Sequence, residues 1–183
     1  VGSLHGSDVI VLGLDLSFTR SGLVWLEWAW EWESDIPQLS QYQTIAIPPG
    51  EWRMGRIQTL FYKALDTSPK PDLAVIEGSI QRAGRYTHGS ERKRGIRVLT
   101  MLQELNGVVK AVLDLHRIPQ LESSPTHMKK VITMKGTADK ATVAQEITAR
   151  FGISFPGDEK KGYDLYDAAG LALLGLNKRG MSL

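Results

Sequence analysis

The stretch VLGLDLSFTRSG, residues 11–22, sets an ionisable carboxylate, Asp15, inside an aliphatic run that extends from Val9 to Leu16. An apolar run of this length, closed by a polar turn, reads as a strand covered on both faces. Asp8 to Leu16 is therefore a buried strand, and SFTRSG is the turn that follows it. A buried carboxylate without a partner is costly, so such a group pairs, takes up a proton or holds a metal ion. The near neighbours of Asp15 are Leu12, Leu14 and Leu16, so its partner must come from elsewhere in the chain.

Working outward, Gly22 to Glu33 continues as a second strand and Tyr42 to Ile47 as a third. Trp28, Trp30 and Trp32 alternate with Ala29, Glu31 and Glu33, the period of a half-buried strand, and packing accounts for the tryptophans. Trp52 to Leu65 carries Ile57, Leu60, Phe61, Ala64 and Leu65 at helical spacing. LAVIEG, residues 73–78, is a short buried strand ending in a second carboxylate, Glu77. Gln81 to Gly95 is polar and basic, and a long helix is expected from about Ile96 to His116.

That helix has Leu99, Leu102, Val109 and Leu113 on one side and Met101, Leu105, Val108 and Val112 on the other. A helix apolar on two sides is expected to meet the sheet with one and a neighbouring helix or second subunit with the other. IPQLES gives a fifth strand, SPTHMKKVIT a short helix, Asp139 to Phe151 a further helix and Asp164 to Asn177 the last. Three consecutive strands suit an antiparallel meander, and strands reached through helices suit parallel pairing. The expected fold class is α/β: a mixed five-stranded sheet flanked by helices.

The totals agree with one domain. The 183 residues are 42% hydrophobic and 23% charged with a net charge of +2, enough chain for a proper core. The absence of cysteine excludes a disulfide framework, a thiolate zinc site and a cysteine nucleophile. No apolar run is long enough to span a bilayer, so a soluble protein of the cytoplasm, with no membrane partner, is expected. Residues 1–7, VGSLHGS, read as a leader or tag remnant ahead of a domain at 8–183.

Asp15 and Glu77 reach one face of the sheet if their strands are neighbours. Asp164 and Asp167 in DLYDAAGLALLG lie three apart at a helix start, on one face and where negative charge is favoured. Each has an ordinary alternative: Asp164 suits a helix cap and Glu77 a surface turn. Together, four converging carboxylates repel one another unless a cation neutralises them, and hard oxygen donors suit Mg²⁺ or Mn²⁺. Carboxylate sites with two ions about 4 Å apart are a general solution for phosphodiester cleavage.

GLDLSFTRSG, LAVIEG, THMKKVITMKGTADKATV and DLYDAAGLALLG, in this order and spacing, resemble the RuvC family of Holliday junction resolvases, within the RNase H-like superfamily. The resemblance runs from Val9 to Gly175 and implies a single RNase H-like nuclease domain. It further implies a homodimer that nicks four-way DNA symmetrically with two Mg²⁺ ions per site, for which Mn²⁺ can substitute. Asp15, Glu77, Asp164 and Asp167 match the family's metal-binding acids. Lys140 and Lys129, or its neighbour Lys130, match its lysines near the scissile phosphate.

Two departures point to a phage or divergent bacterial branch. Ile80 stands where the family often carries an aromatic wedge, and an aliphatic side chain inserts at a base step without stacking. The segment QRAGRYTHGSERKRGIR is longer than usual, and its Arg82, Arg85, Arg92, Lys93, Arg94 and Arg97 read as an arm that tracks phosphates. The competing readings are an RNase H-like nuclease for RNA–DNA hybrids or other branched DNA, and a non-catalytic junction-binding protein. A phosphotransferase of the sugar-kinase and actin type is disfavoured, because the chain has one phosphate-binding hairpin and no length for two lobes.

Overall fold

The computed structural model describes residues 8–29, 36–46, 53–78 and 89–181, with the side chains of residues 53 and 89–98 outside that description. The strands β1 (Val9–Asp15), β2 (Arg20–Trp28) and β3 (Gln38–Ala46) form an antiparallel meander. β4 (Leu73–Glu77) joins β1 in parallel, and β5 (Gln120–Ser123) joins β4 in parallel. The resulting order, β3-β2-β1-β4-β5, places β1 at the centre of the mixed five-stranded sheet that the sequence predicts.

Both faces of the sheet are covered, which explains the unbroken aliphatic run of β1. Leu12, Leu14, Leu23, Trp25, Ala74 and Ile76 face α1 (Arg53–Asp66) and α2 (Gly89–Leu115). Val11, Val24, Leu26, Trp28, Leu73 and Val75 face α3 (Pro125–Thr133), α4 (Lys140–Phe151) and α5 (Asp164–Lys178). Side chains alternate along a strand, so Asp15 follows Val11 and Gly13, and Glu77 follows Leu73 and Val75, onto the α5 face. Trp28 is part of that core, as packing alone requires.

Every residue of α5 from Leu165 to Leu176 is buried, the mark of a helix enclosed on all sides. Two glycines let it descend onto the sheet. A β-carbon on Gly13 would lie 1.8 Å from the Ala168 carbonyl oxygen, and one on Gly22 would lie 2.3 Å from that of Asp164. Gly22 is the register partner of Asp15 across the β1–β2 ladder. The first turn of α5 is thereby seated directly over the end of β1.

The long helix differs from expectation in two ways. It extends back to Gly89 instead of starting near Ile96, because Glu91, Arg92, Lys93 and Arg94 are good helix formers and outweigh Gly95, while the apolar period starts only later. The backbone of Arg92, Lys93, Arg94 and Arg97 is therefore helical instead of belonging to a loop. Its apolar residues also do not divide into two opposed faces. Leu105, Val109, Val112 and Leu113, drawn from both expected sides, are buried together against the sheet and α1. Val108 packs against that core half-buried, and Met101 and Leu115 remain beside it, Leu115 being 67% exposed.

The expectations for 1–7, Trp30, Trp32, Ile80, Arg82 and Arg85, and for the side chains of Arg92, Lys93, Arg94 and Arg97, fall outside the described residues. Among the described residues, no helix is long and apolar enough to cross a membrane.

Candidate active site

Asp15 and Glu77 end adjacent parallel strands whose register pairs Leu14 with Ile76, so the next residue on each strand stands beside the other. The two carboxyl groups share a hydrogen bond, which requires a proton on one of them. Burial first, then the charges of Glu77 and Asp167, push the Asp15 pKa well above the usual carboxylate range, and Lys140 only partly opposes this.

Asp167, one turn into α5, is 6% exposed. Its pKa is raised by burial against the lowering effect of Lys140, with Glu77 adding repulsion. Lys140 opens α4 behind the N-cap Asp139, whose carboxylate accepts from the Thr142 N–H at 2.8 Å. The Lys140 ammonium lies 2.6 Å from Asp167 Oδ2 and donates to the Gly162 carbonyl at 2.8 Å. Burial works to lower the Lys140 pKa, but Asp167, Asp15 and Asp164 outweigh it and raise it, so the ammonium stays charged. A cation at a helix start, unfavourable for the helix, is explained by these acids.

Asp164 is not the cap of α5. Tyr163 holds that position in left-handed backbone (φ 64°), a costly conformation for a bulky residue. The first N–H groups of the helix, those of Leu165 and Tyr166, donate instead to Asp158 Oδ2 at 2.9 and 3.3 Å. Asp164 accepts from Arg20 Nε at 2.6 Å, while Arg20 Nη2 reaches Asp158 Oδ1 at 3.3 Å and the Lys161 carbonyl at 2.6 Å. Arg20 and Asp158 therefore clamp the turn that presents Asp164 and Asp167. Neither residue has a role that is legible from local sequence alone. The signal for Arg20 lay in its even spacing from Gly22 and Val24, which puts it on the α5 face; Asp158 sits in a polar loop with no periodicity to read.

Of the two adjacent lysines, Lys129 is the one turned toward the acids. Its ammonium donates to the Ala138 carbonyl at 2.6 Å and its charge acts on Asp167. Lys130 is exposed on the outer side of α3. Lys129 thus ties down the backbone just before Lys140.

The structure brings Asp15, Glu77, Asp167 and Lys140 together and turns Asp164 toward Arg20. Among the described residues, no three carboxylates stand close enough as arranged to hold one metal ion. The donor chemistry nevertheless fits a hard divalent cation, since buried oxygen donors that repel one another and share a proton are what such a cation relieves.

Truncating Asp158 tests the clamp. Asp158→Ala leaves two helix N–H groups and Arg20 short of a buried acceptor, at a cost of roughly 1–3 kcal/mol for such groups. The expected result is a lower Tm; an unchanged Tm would exclude the clamp.

No family model matches the chain. It is 26% identical over 144 residues to the crossover junction endodeoxyribonuclease RuvC of Carboxydothermus hydrogenoformans, covering 78% of this chain and 82% of that protein. Its fold matches Thermus thermophilus RuvC, solved in complex with a Holliday junction substrate, at a TM-score of 0.69. That match has 19% identity and spans 94% of this chain and 96% of the other. It also matches the yeast mitochondrial Holliday junction resolvase Ydc2 at a TM-score of 0.57 and 16% identity, over 90% of this chain and 76% of that one. The resemblance to RuvC-type resolvases read from four motifs thus extends to a curated sequence and to the whole sheet and its helices, an RNase H-like fold.

Proposed function

We propose that this chain, RuvC-like in sequence and in fold, is an endonuclease that resolves four-way DNA junctions by paired nicks, using divalent cations. The observation that carries the reading is the meeting of Asp15, Glu77, Asp167 and Lys140 at one end of the central strands, in a chain similar to RuvC. Asp15, Glu77 and Asp167 would hold the metal, with Asp164 joining them once it leaves Arg20. Two Mg²⁺ ions, or Mn²⁺ in their place, would supply Lewis acid chemistry for phosphodiester hydrolysis.

The chain's own residues then have distinct work. Asp15, buried and crowded by Glu77 and Asp167, would be the acid whose unfavourable surroundings a bound cation relieves most. Lys140 is charged and within reach of Asp167, so it can move onto a substrate phosphate while remaining beside the acids. Lys129 holds the backbone that positions it. The basic residues Arg92, Lys93, Arg94 and Arg97, with Arg82 and Arg85, supply the charge that binds the arms, and Lys130 adds to it from α3. Ile80 serves as an aliphatic wedge at the junction centre.

A two-fold substrate calls for two related sites, hence a homodimer. Met101 and Leu115, with the core-packed Val108 between them, recur at heptad spacing along one flank of α2, whose exposed end at Leu115 suits a second copy of the helix. Leu115→Glu, at the exposed end of this flank, is expected to shift sedimentation from dimer to monomer and to abolish paired nicking while the chain stays folded. A variant that still sediments as a dimer would remove α2 from the interface.

The test of function is cleavage of a synthetic four-way junction, beside linear duplex and RNA–DNA hybrid, with Mg²⁺ or EDTA. Symmetric, Mg²⁺-dependent nicks in the junction alone are expected. Cutting of the hybrid would assign the chain to another branch of the superfamily, and binding without cutting would make it a junction-recognition protein.

A further inference from the structure

A small cavity of about 190 Å³ opens beside the acids, walled by Arg20, Tyr42 and Thr44 from the sheet and by Phe155, Asp158 and Lys161 from the loop before α5. We infer that it is a subsite for a backbone phosphate of the DNA, next to the phosphate that is cut, and that Arg20 links it to Asp164. The inference rests on the proposed nuclease function and deepens it, because none of these residues belongs to the acidic cluster or to the basic segment on α2.

The cavity holds hydrogen-bond donors that lack acceptors. Asp158, its one acid, is already engaged by Arg20 and by two N–H groups of α5. The guanidinium of Arg20 uses Nε and Nη2 on Asp164, Asp158 and the Lys161 carbonyl, and its Nη1 has no partner among the described residues. The Lys161 ammonium likewise faces no carboxylate among the described residues. Thr44 and Tyr42, both exposed, add two hydroxyls at the mouth. Free cationic donors beside neutral ones, around a space smaller than the roughly 300–1,000 Å³ of small-molecule pockets, suit a phosphodiester better than a metabolite.

Two further features favour a polynucleotide. The Tyr42 ring is 51% exposed and is steadied by an edge contact with Phe155 at 5.2 Å. Its free surface is available to a sugar or base, the usual companion of a phosphate contact on single strands. The cavity also lies at the end of the sheet where Asp15 ends β1, since Arg20 opens β2 only five residues later. One planar guanidinium then serves both the phosphate and Asp164, which suits the fixed fork of arginine. Strand binding at the cavity therefore acts directly on the acid that Arg20 holds.

The test is binding of the full chain to a four-way junction in EDTA at several KCl concentrations. Lys161→Ala should weaken binding and reduce the slope of log K against log salt by about one unit, the loss of one phosphate contact. Tyr42→Ala should weaken binding several-fold with the slope unchanged. Lys70→Ala, at the opposite end of the sheet, controls for net charge. With Mg²⁺, Lys161→Ala should raise KM while kcat at saturating junction is retained. A Lys161→Ala slope equal to that of the wild type, or a loss matched by Lys70→Ala, overturns the subsite. Competition by inorganic phosphate beyond that of chloride at equal ionic strength reassigns the cavity to free phosphate and also overturns it. A wild-type chain that binds no branched DNA overturns the functional reading as well, which separates the two failures.

Discussion

Asp15→Asn is expected to abolish junction cleavage while leaving the fold and junction binding in place. Asp15 stands between Glu77 and Asp167 on the central strand, and no other described carboxylate can replace it at that point of the sheet. If it anchors the cation, the variant loses several kcal/mol of transition-state stabilisation, and about 4 kcal/mol is roughly a thousandfold in rate. Stability should move the other way. A buried carboxyl crowded by two acids is unfavourable in the folded state, and a neutral amide of the same shape relieves that. The Tm should hold or rise, by about 2–4 °C for each kcal/mol recovered. Binding in EDTA should hold, since the substitution leaves the basic residues untouched. A variant that cuts at the normal rate removes Asp15 from the mechanism, and one that fails to fold makes Asp15 a structural acid.

The second large effect is expected at Gly13, which touches no substrate. Its added methyl in Gly13→Ala would meet the Ala168 carbonyl at 1.8 Å and the Ala172 nitrogen at 2.7 Å, both backbone atoms of a fully enclosed helix. Neither can turn aside as a side chain would, so α5 itself must lift. Overpacking of this kind costs about 1–3 kcal/mol and occasionally more. The functional loss should be larger than the stability loss, because Asp164 and Asp167 ride on the lifted turn and a misplacement of about 1 Å costs on the order of a hundredfold. Gly22→Ala should act in the same way through the Asp164 carbonyl. Gly55→Ala is the control: nothing lies within 4 Å of its added methyl in α1, and it should stabilise the chain by roughly 0.4–1 kcal/mol. Thermal unfolding and kcat/KM measured on all three variants check the argument. Equal behaviour of Gly13→Ala and Gly55→Ala would refute the close approach of α5 to the sheet.

Local pattern was enough to read much of this protein. The aliphatic run around Asp15, the short strand ending at Glu77 and the spacing of Asp164 and Asp167 all lie within single elements, and period alone identifies strand or helix. Alternation also required that Asp15 share a face with Gly13, and Glu77 with Val75. The start of α2 escapes local pattern for the same reason: its first turns are polar and charged, so helical backbone there leaves no apolar period to detect.

What the local pattern could not supply was the pairing of elements far apart in sequence. The residues Asp15, Glu77 and Asp167 become neighbours only through the β1–β4 register and the descent of α5 onto Gly13 and Gly22. The distribution of Leu105, Val109, Val112 and Leu113 likewise resolves into one buried arc only once α1 and the sheet are in place. Arg20 lies in the first motif without a visible partner there and Asp158 lies in none, yet they decide where Asp164 points, because a buried helix end must find acceptors for its N–H groups wherever the chain can bring them. The identities of the candidate acids were therefore legible in the sequence, within the segments that carry them. Their convergence, and the clamp that orients them, were decided by long-range packing, since only contact across the sheet sets the distance between charges.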